Sequence, residues 1–148
     1  MEKTSIIFPR KPNYYETDKM GIVHHSNYIR WFEEARIAYM EEKGYPYEKM
    51  EEMGVMIPVT GVDCKYKIPV KFGQEVLIYT KIDFFDGIRL TISYEIRDKL
   101  TDKVHITGHS GHCFVDAGTF RPIRLNKAHP EMAEIFTIEA HTKEGQQL

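Results

Sequence analysis

A change of period at about residue 55 constrains this chain more than any other feature of its sequence. Before it, Ser26 to Lys43 reads as one helix. Tyr28, Trp31, Phe32, Ala35, Ala38 and Tyr39 recur at the spacing of a single helical face, and Ile29, Ile37 and Met40 widen that face well beyond a narrow seam. A helix so apolar needs cover on more than one side. After it the chain alternates. Val62, Cys64, Tyr66 and Ile68 interleave with Asp63, Lys65 and Lys67; Val76, Ile78, Thr80, Ile82 and Phe84 with a set that includes Glu75, Lys81 and Asp83; Ile88, Leu90, Ile92, Tyr94 and Ile96 with Arg89, Thr91, Ser93, Glu95 and Arg97. Alternation of this kind marks half-buried strands. Asp86-Gly87 signals a two-residue hairpin with positive φ at both central positions. A polar turn from Asp98 to Asp102 leads into a last strand from about Val104 to Asp116. Short connections between consecutive strands make them antiparallel neighbours. One apolar helix and one half-apolar sheet must bury each other, so the expected class is α+β, with a sheet curled around a single central helix.

The flanks complete this plan. Ser5 to Tyr15 reads as a fifth strand interrupted by Pro9 and Pro12, and proline, which lacks the ladder donor, points to an edge or a bend. Ser26 or Asn27 is the expected helix cap and Gly44 the expected stop. Pro46 to Met53 suits a short second helix, with Gly54 after its end. Pro130 to Phe136 suits a short C-terminal helix, and residues 137–148 are expected to form a solvated tail. The 148 residues suit one domain, 1–148.

Composition excludes several classes of function. Net charge is −2, with 20 basic and 22 acidic side chains, which argues against a dedicated nucleic-acid binder. Cys64 and Cys113 form neither a metal-type pair nor a Cys-x-x-Cys. The segment with His105, His109 and His112 would present a metal cluster on a helix. It reads as a strand, in which His112 faces away from the other two, so no metal site is expected. No secretion signal and no run of about 20 apolar residues is visible, so the default location is cytoplasmic, with no membrane span.

The candidate chemistry lies in Tyr14-Tyr15-Glu16-Thr17-Asp18-Lys19-Met20-Gly21-Ile22-Val23-His24-His25, immediately before the helix. A carboxylate there can act as nucleophile or as general base for water. The first N–H groups of a helix have no intrahelical partner and carry partial positive charge, so they can stabilise a developing oxyanion. The alternative for Asp18 is a purely structural Asx-turn.

Residues 14–36 resemble the signature of hotdog-fold acyl-CoA thioesterases of the 4-hydroxybenzoyl-CoA thioesterase type, which includes the bacterial Tol–Pal-associated thioesterases. The matching positions are Tyr14, Asp18, Gly21, Val23, His24-His25, Tyr28 and Glu33-Glu34-Ala35-Arg36. Weaker echoes cover Tyr66 to Gly73 and Arg121-Pro122. The resemblance implies a hotdog fold, an antiparallel five-stranded sheet around one long helix. It implies hydrolysis of acyl-CoA to a carboxylic acid and free CoA, with CoA as part of the substrate and no separate cofactor. It also implies a homodimer, or a homotetramer built from it, with active sites at the interface.

The roles it implies are Asp18 as nucleophile or general base and His25, seven residues on, as oxyanion donor through its backbone N–H. The His25 imidazole stays open as an alternative. Tyr14 is a further catalytic candidate, and Gly21, Val23, His24 and Tyr28 are candidates to line the substrate site. Lys65, Lys67, Lys71, Arg89, Arg121 and Arg124 are candidates to meet CoA phosphates. The family often has Asp where Glu16 stands, Tyr where His24 stands, and Asp where Gln74 stands. Two other uses of the same fold compete: a non-catalytic acyl-CoA-binding module, and a hydratase or dehydratase working through a side-chain histidine.

Overall fold

The structure, a computed structural model, describes residues 5–141. In chain order its elements are β1 (Ile6–Arg10), a 3-10 turn (Tyr14–Glu16), α1 (Ser26–Glu42), α2 (Tyr47–Met53), β2 (Val55–Met56), β3 (Val59–Tyr66), β4 (Val76–Phe85), β5 (Arg89–Asp98), β6 (Val104–Cys113), β7 (Val115–Asp116), α3 (Leu125–Ala128) and α4 (Pro130–His141). Five strands form one antiparallel sheet in the order β1-β4-β5-β6-β3, and β2 pairs with β7 in a separate two-stranded ladder. The proline-containing β1 lies at one edge, as the missing donor requires.

The sheet curls around α1. Tyr28, Trp31, Phe32, Ala35, Tyr39 and Met40 of the helix are buried against an inner sheet face made by Val76, Ile78 and Ile82 of β4, Leu90, Ile92, Tyr94 and Ile96 of β5, and Ile106 of β6. Contact is closest at Gly108. A Cβ built there would lie 2.5 Å from the Asp63 carbonyl oxygen and 2.6 Å from Phe32 Cε2. Only glycine lets the helix ring rest directly on the strand. The Phe32 ring also stacks on Tyr94, with centroids 4.3 Å apart. At one end of the sheet α4 closes the core, where Phe136 meets Phe85 and Phe114.

Several expectations change in detail. The first strand ends at Arg10 rather than Tyr15, because the chain winds into the 3-10 turn closed by Glu16 N–H to the Asn13 carbonyl at 2.9 Å. A register shift between Ile82 and Phe84 inverts the alternation of β4, so Phe84 faces out, 47% exposed, while Phe85 is buried. The β4–β5 turn is shifted by one residue: Asp86 N–H donates to the Arg89 carbonyl at 3.2 Å, so Gly87 and Ile88, not Asp86 and Gly87, are its two central residues. Only Gly87 has positive φ, and the Asp86 side chain holds the turn by accepting from Ile88 N–H and Arg89 N–H. Ile88 therefore sits exposed in the turn instead of starting the inner face. Helix α4 continues to His141 with Ala140 buried, so residues 137–141 are part of the packed structure. The rest of the expected tail, 142–148, lies outside the described residues.

Candidate active site

Residues 17–23 form a small hairpin on the sheet's rim. Thr17 pairs with Val23, Asp18 N–H donates to the Ile22 carbonyl at 2.9 Å, and Gly21 N–H returns to the Asp18 carbonyl at 3.0 Å. Gly21, at φ +77°, makes the reversal that a side chain would oppose. The hairpin is sewn to the segment after β3. Val23 N–H donates to the Val70 carbonyl at 2.8 Å and Phe72 N–H to the Gly21 carbonyl at 3.1 Å. Val23 is buried; Gly21 is exposed. Tyr28 is buried as well, and its hydroxyl accepts from Val70 N–H at 3.1 Å. Burial raises the Tyr28 pKa above the ordinary range, with smaller pushes from Cys64 and Asp18.

Asp18 is half-buried within this frame. Its Oδ1 accepts from Met20 N–H at 2.8 Å, the Asx-turn that was the structural alternative. Among the described residues Oδ2 has no hydrogen bond. The turn thus orients the carboxylate and leaves one oxygen available.

The helix start differs from the expected Ser or Asn cap. His25 stands at the N-cap position, and His24 supplies the capping atom: its Nδ1 accepts from Ser26 N–H at 3.2 Å and lies 2.9 Å from Ser26 Oγ. His24 N–H is satisfied by the Glu16 carbonyl and Asn27 N–H by the His24 carbonyl. Among the described residues, the His25 N–H has no acceptor. Its imidazole stacks on His24 at 4.3 Å and meets the edge of Tyr66 at 5.9 Å. Tyr14 is 78% exposed and stands edge-on to Phe72 at 5.6 Å, above the strand that carries the hairpin.

The basic candidates divide into two groups. Lys65, Lys67 and Lys71 are exposed at the end of β3 and just beyond it, where Lys71 bridges to Ile22 of the hairpin. The second group lies away from this rim: Arg89 reaches Asp86 at 3.9 Å, Arg124 precedes Leu125, whose N–H donates to the Gly87 carbonyl, and Arg121 lies in the turn after β7, where its N–H donates to Thr119 Oγ1. Gln74, where the family often has Asp, closes the turn after Phe72 by accepting from Lys71 N–H and donates to Asp98 at 2.7 Å. The three histidines scatter: His105 to Gln74, His109 to Asp63 and His112 to Ser110.

Sequence reasoning missed the ion cluster beneath the loop. Glu16 is 5% exposed and receives Arg10 at 2.7 and 3.0 Å, Asn13 N–H at 2.8 Å and Trp31 Nε1–H at 3.0 Å. Arg10 also grips Glu34 of α1 and lies over the Trp31 ring. Burial works to raise the Glu16 pKa, but the bonds from Arg10, Asn13 and Trp31 outweigh it, so the carboxyl lies below its usual range. The Glu16 carbonyl meanwhile accepts from His24 N–H and from Asn27 Nδ2. One residue thereby ties β1, the 3-10 turn, the segment that leads from the hairpin into the helix, and α1 together. The signal available was an acid three residues after Asn13, the capping-box spacing.

Residues 13–136 match the sequence profile of the family described as the "Thioesterase-like superfamily". The chain belongs to the thioesterase-like superfamily. Similar superfamily members include the "Putative acyl-CoA thioesterase YneP" of Bacillus subtilis (strain 168), 36% identical over 118 residues that span 80% of this chain and 85% of that one. The "Acyl-CoA thioesterase YbgC" of Haemophilus influenzae is 26% identical, spanning 81% of this chain and 88% of that one. Among solved structures, the DHNA-CoA thioesterase from Staphylococcus aureus superposes with a TM-score of 0.84 at 32% identity, covering 90% of this chain and 89% of that one. The fold is the hotdog fold of this superfamily, and the relatives place the chain among hydrolases. No helix of the described residues is long and apolar enough to cross a membrane.

Proposed function

We propose that this protein is an acyl-CoA thioesterase that hydrolyses the thioester to a carboxylic acid and free CoA. The observation that carries the reading is the pairing of Asp18, with one carboxylate oxygen uncommitted, and a helix start whose His25 N–H has no acceptor. The substrate carbonyl accepts from His25 N–H as negative charge develops on its oxygen. Asp18 either takes a proton from water, which attacks the carbonyl carbon, or attacks it directly to form an anhydride that water then opens. In both routes the C–S bond breaks and CoA leaves with the electron pair as thiolate, which takes up a proton. Lys65, Lys67 and Lys71 are exposed cations beside this rim for the phosphates of CoA, and Tyr14, His24 and Phe72 lie around its entrance.

The same reading includes a homodimer. Edge strand β3 offers its outer side for pairing and exposes Val59, Val62 and Tyr66, 51, 45 and 49% respectively. Antiparallel pairing with a second copy about a two-fold at Val62 sets that residue opposite its own copy and brings Tyr66, which touches His25 and Tyr28, to the end of the shared ladder. The active sites then flank the interface. Cys64 and Cys113 are free thiols, which fits the cytoplasm as the place of work.

The test is CoA release followed by a thiol reagent. Asp18→Asn keeps the Asx-turn acceptor and removes the charge. It is expected to fold normally and lose roughly 100-fold or more of the rate; hydrolysis near the parent rate rejects the assignment, and tight acyl-CoA binding without CoA release by the parent protein favours a binding module.

A further inference from the structure

We propose a binding site for an apolar carboxylate between α1, α2 and β2, with Arg36 as its anchor. The cavity there has a volume of about 280 Å³ and is bounded by Arg36, Tyr47, Met50, Ile57, Val59 and Glu33, among others. A second, smaller pocket of about 30 Å³ shares Arg36, Tyr47, Met50 and Ile57 with it and is also lined by Ile37 and Met40. Glu33, Arg36, Ile37 and Met40 stand on one face of α1, so the helix itself builds one wall. The wall is apolar apart from two charged residues, of which Glu33 is exposed and Arg36 half-buried.

Arg36 is unusual among the arginines near the core. Arg10 is saturated by two carboxylates. Among the described residues Arg36 makes a single hydrogen bond, from Nη1 to the Tyr94 hydroxyl at 3.1 Å, and no carboxylate pairs with it. A guanidinium has five donors and matches the two oxygens of a carboxylate. Four donors thus remain on a cation held at the side of an apolar cavity.

The interior behind Arg36 fixes its position. Because Arg36 can only donate, the Tyr94 hydroxyl accepts from it and donates to Ser110 Oγ at 2.6 Å, and Ser110 donates to His112 Nε2 at 2.7 Å. The chain ends on a histidine that is 1% exposed. Burial and the Arg36 charge hold that histidine neutral, so it does not compete for an anion. Arg36, which lines the cavity, is therefore held there from a buried support. A ligand with an apolar body and a terminal carboxylate satisfies both the wall and the cation. Binding does not depend on hydrolysis; under the thioesterase reading the ligand has the chemistry of the released acid.

The experiment titrates the isotopically labelled full-length protein with octanoate and with octanamide, and follows backbone amide shifts by NMR. Octanoate is expected to bind at least about tenfold tighter, a factor worth about 1.4 kcal/mol, with shifts centred on α1, α2 and β2. Arg36→Met is expected to erase the difference between the two probes. Tyr94→Phe, which removes the bond between Tyr94 and Arg36 and keeps the charge, is expected to retain the preference, and so separates loss of the anchor from loss of fold. Equal binding of the two probes, no binding of either, shifts centred elsewhere, or an unchanged preference in Arg36→Met overturns the proposal.

Discussion

Trp31 Nε1–H donates to Glu16 Oε2 at 3.0 Å inside the protein, joining the middle of the central helix to the residue two positions before Asp18. Four N–H donors from three residues converge on this carboxylate, and the Glu16 carbonyl holds the helix start, so the loop cannot shift without breaking interior bonds. Glu16→Gln keeps the shape and removes the charge opposite Arg10. Expected is a loss of about 2 kcal/mol in urea unfolding together with a lower kcat, while circular dichroism stays unchanged.

The oxyanion role of His25 separates from its imidazole by substitution. His25 has φ −56°, within the range that proline adopts. His25→Pro therefore deletes the N–H at little steric cost at that residue, and a fall of roughly 100- to 1000-fold in kcat is expected. His25→Ala retains the N–H, and its rate is expected within about threefold of the parent. A large loss in His25→Ala would instead point to side-chain chemistry of the hydratase kind.

His112 makes stability depend on pH. Its folded pKa is depressed to about 4 by burial and by the Arg36 charge, from an ordinary 6.5. Below 6.5 the unfolded chain takes up the proton that the folded chain refuses, so this contribution is full above pH 6.5 and is lost as pH falls toward 4. The urea midpoint is expected to fall between pH 7 and pH 5, and to fall less in His112→Gln.

The proposed dimer is tested on β3. Val62 lies at the centre of the exposed edge, so Val62→Asp places two carboxylates close together across a two-fold. Sedimentation is expected to show the parent as a dimer or larger and the variant shifted to monomer, with hydrolysis falling in parallel. A monomeric parent with full activity contradicts the interface.

Much of this architecture is legible in the sequence because burial has a period. The helix from Ser26, the outward edge at β1 and the alternation in β4, β5 and β6 follow from which residues must leave water. The shift at Ile82/Phe84 does not, since one extra residue changes no composition and merely swaps the faces of Phe84 and Phe85. The cap was misplaced because an imidazole nitrogen of His24 does the work usually given to a serine oxygen. In the site, Asp18 and Gly21 stand out by motif and turn chemistry. Glu16 is hidden because a glutamate in sequence looks solvated, and only its three-dimensional donors, Arg10 and Trp31, make an interior position tolerable. Tyr28, a candidate at the substrate, also accepts from the backbone of Val70, a bond that no sequence pattern announces.

The contact between Phe32 and Gly108 has a consequence for sequence variation. A Cβ at position 108 would meet both that ring and the backbone carbonyl of Asp63, and no smaller side chain at position 32 moves the carbonyl; relatives are therefore expected to keep glycine at the position of Gly108 whatever stands at the position of Phe32, and Gly108→Ala should accumulate as insoluble protein even when paired with Phe32→Leu.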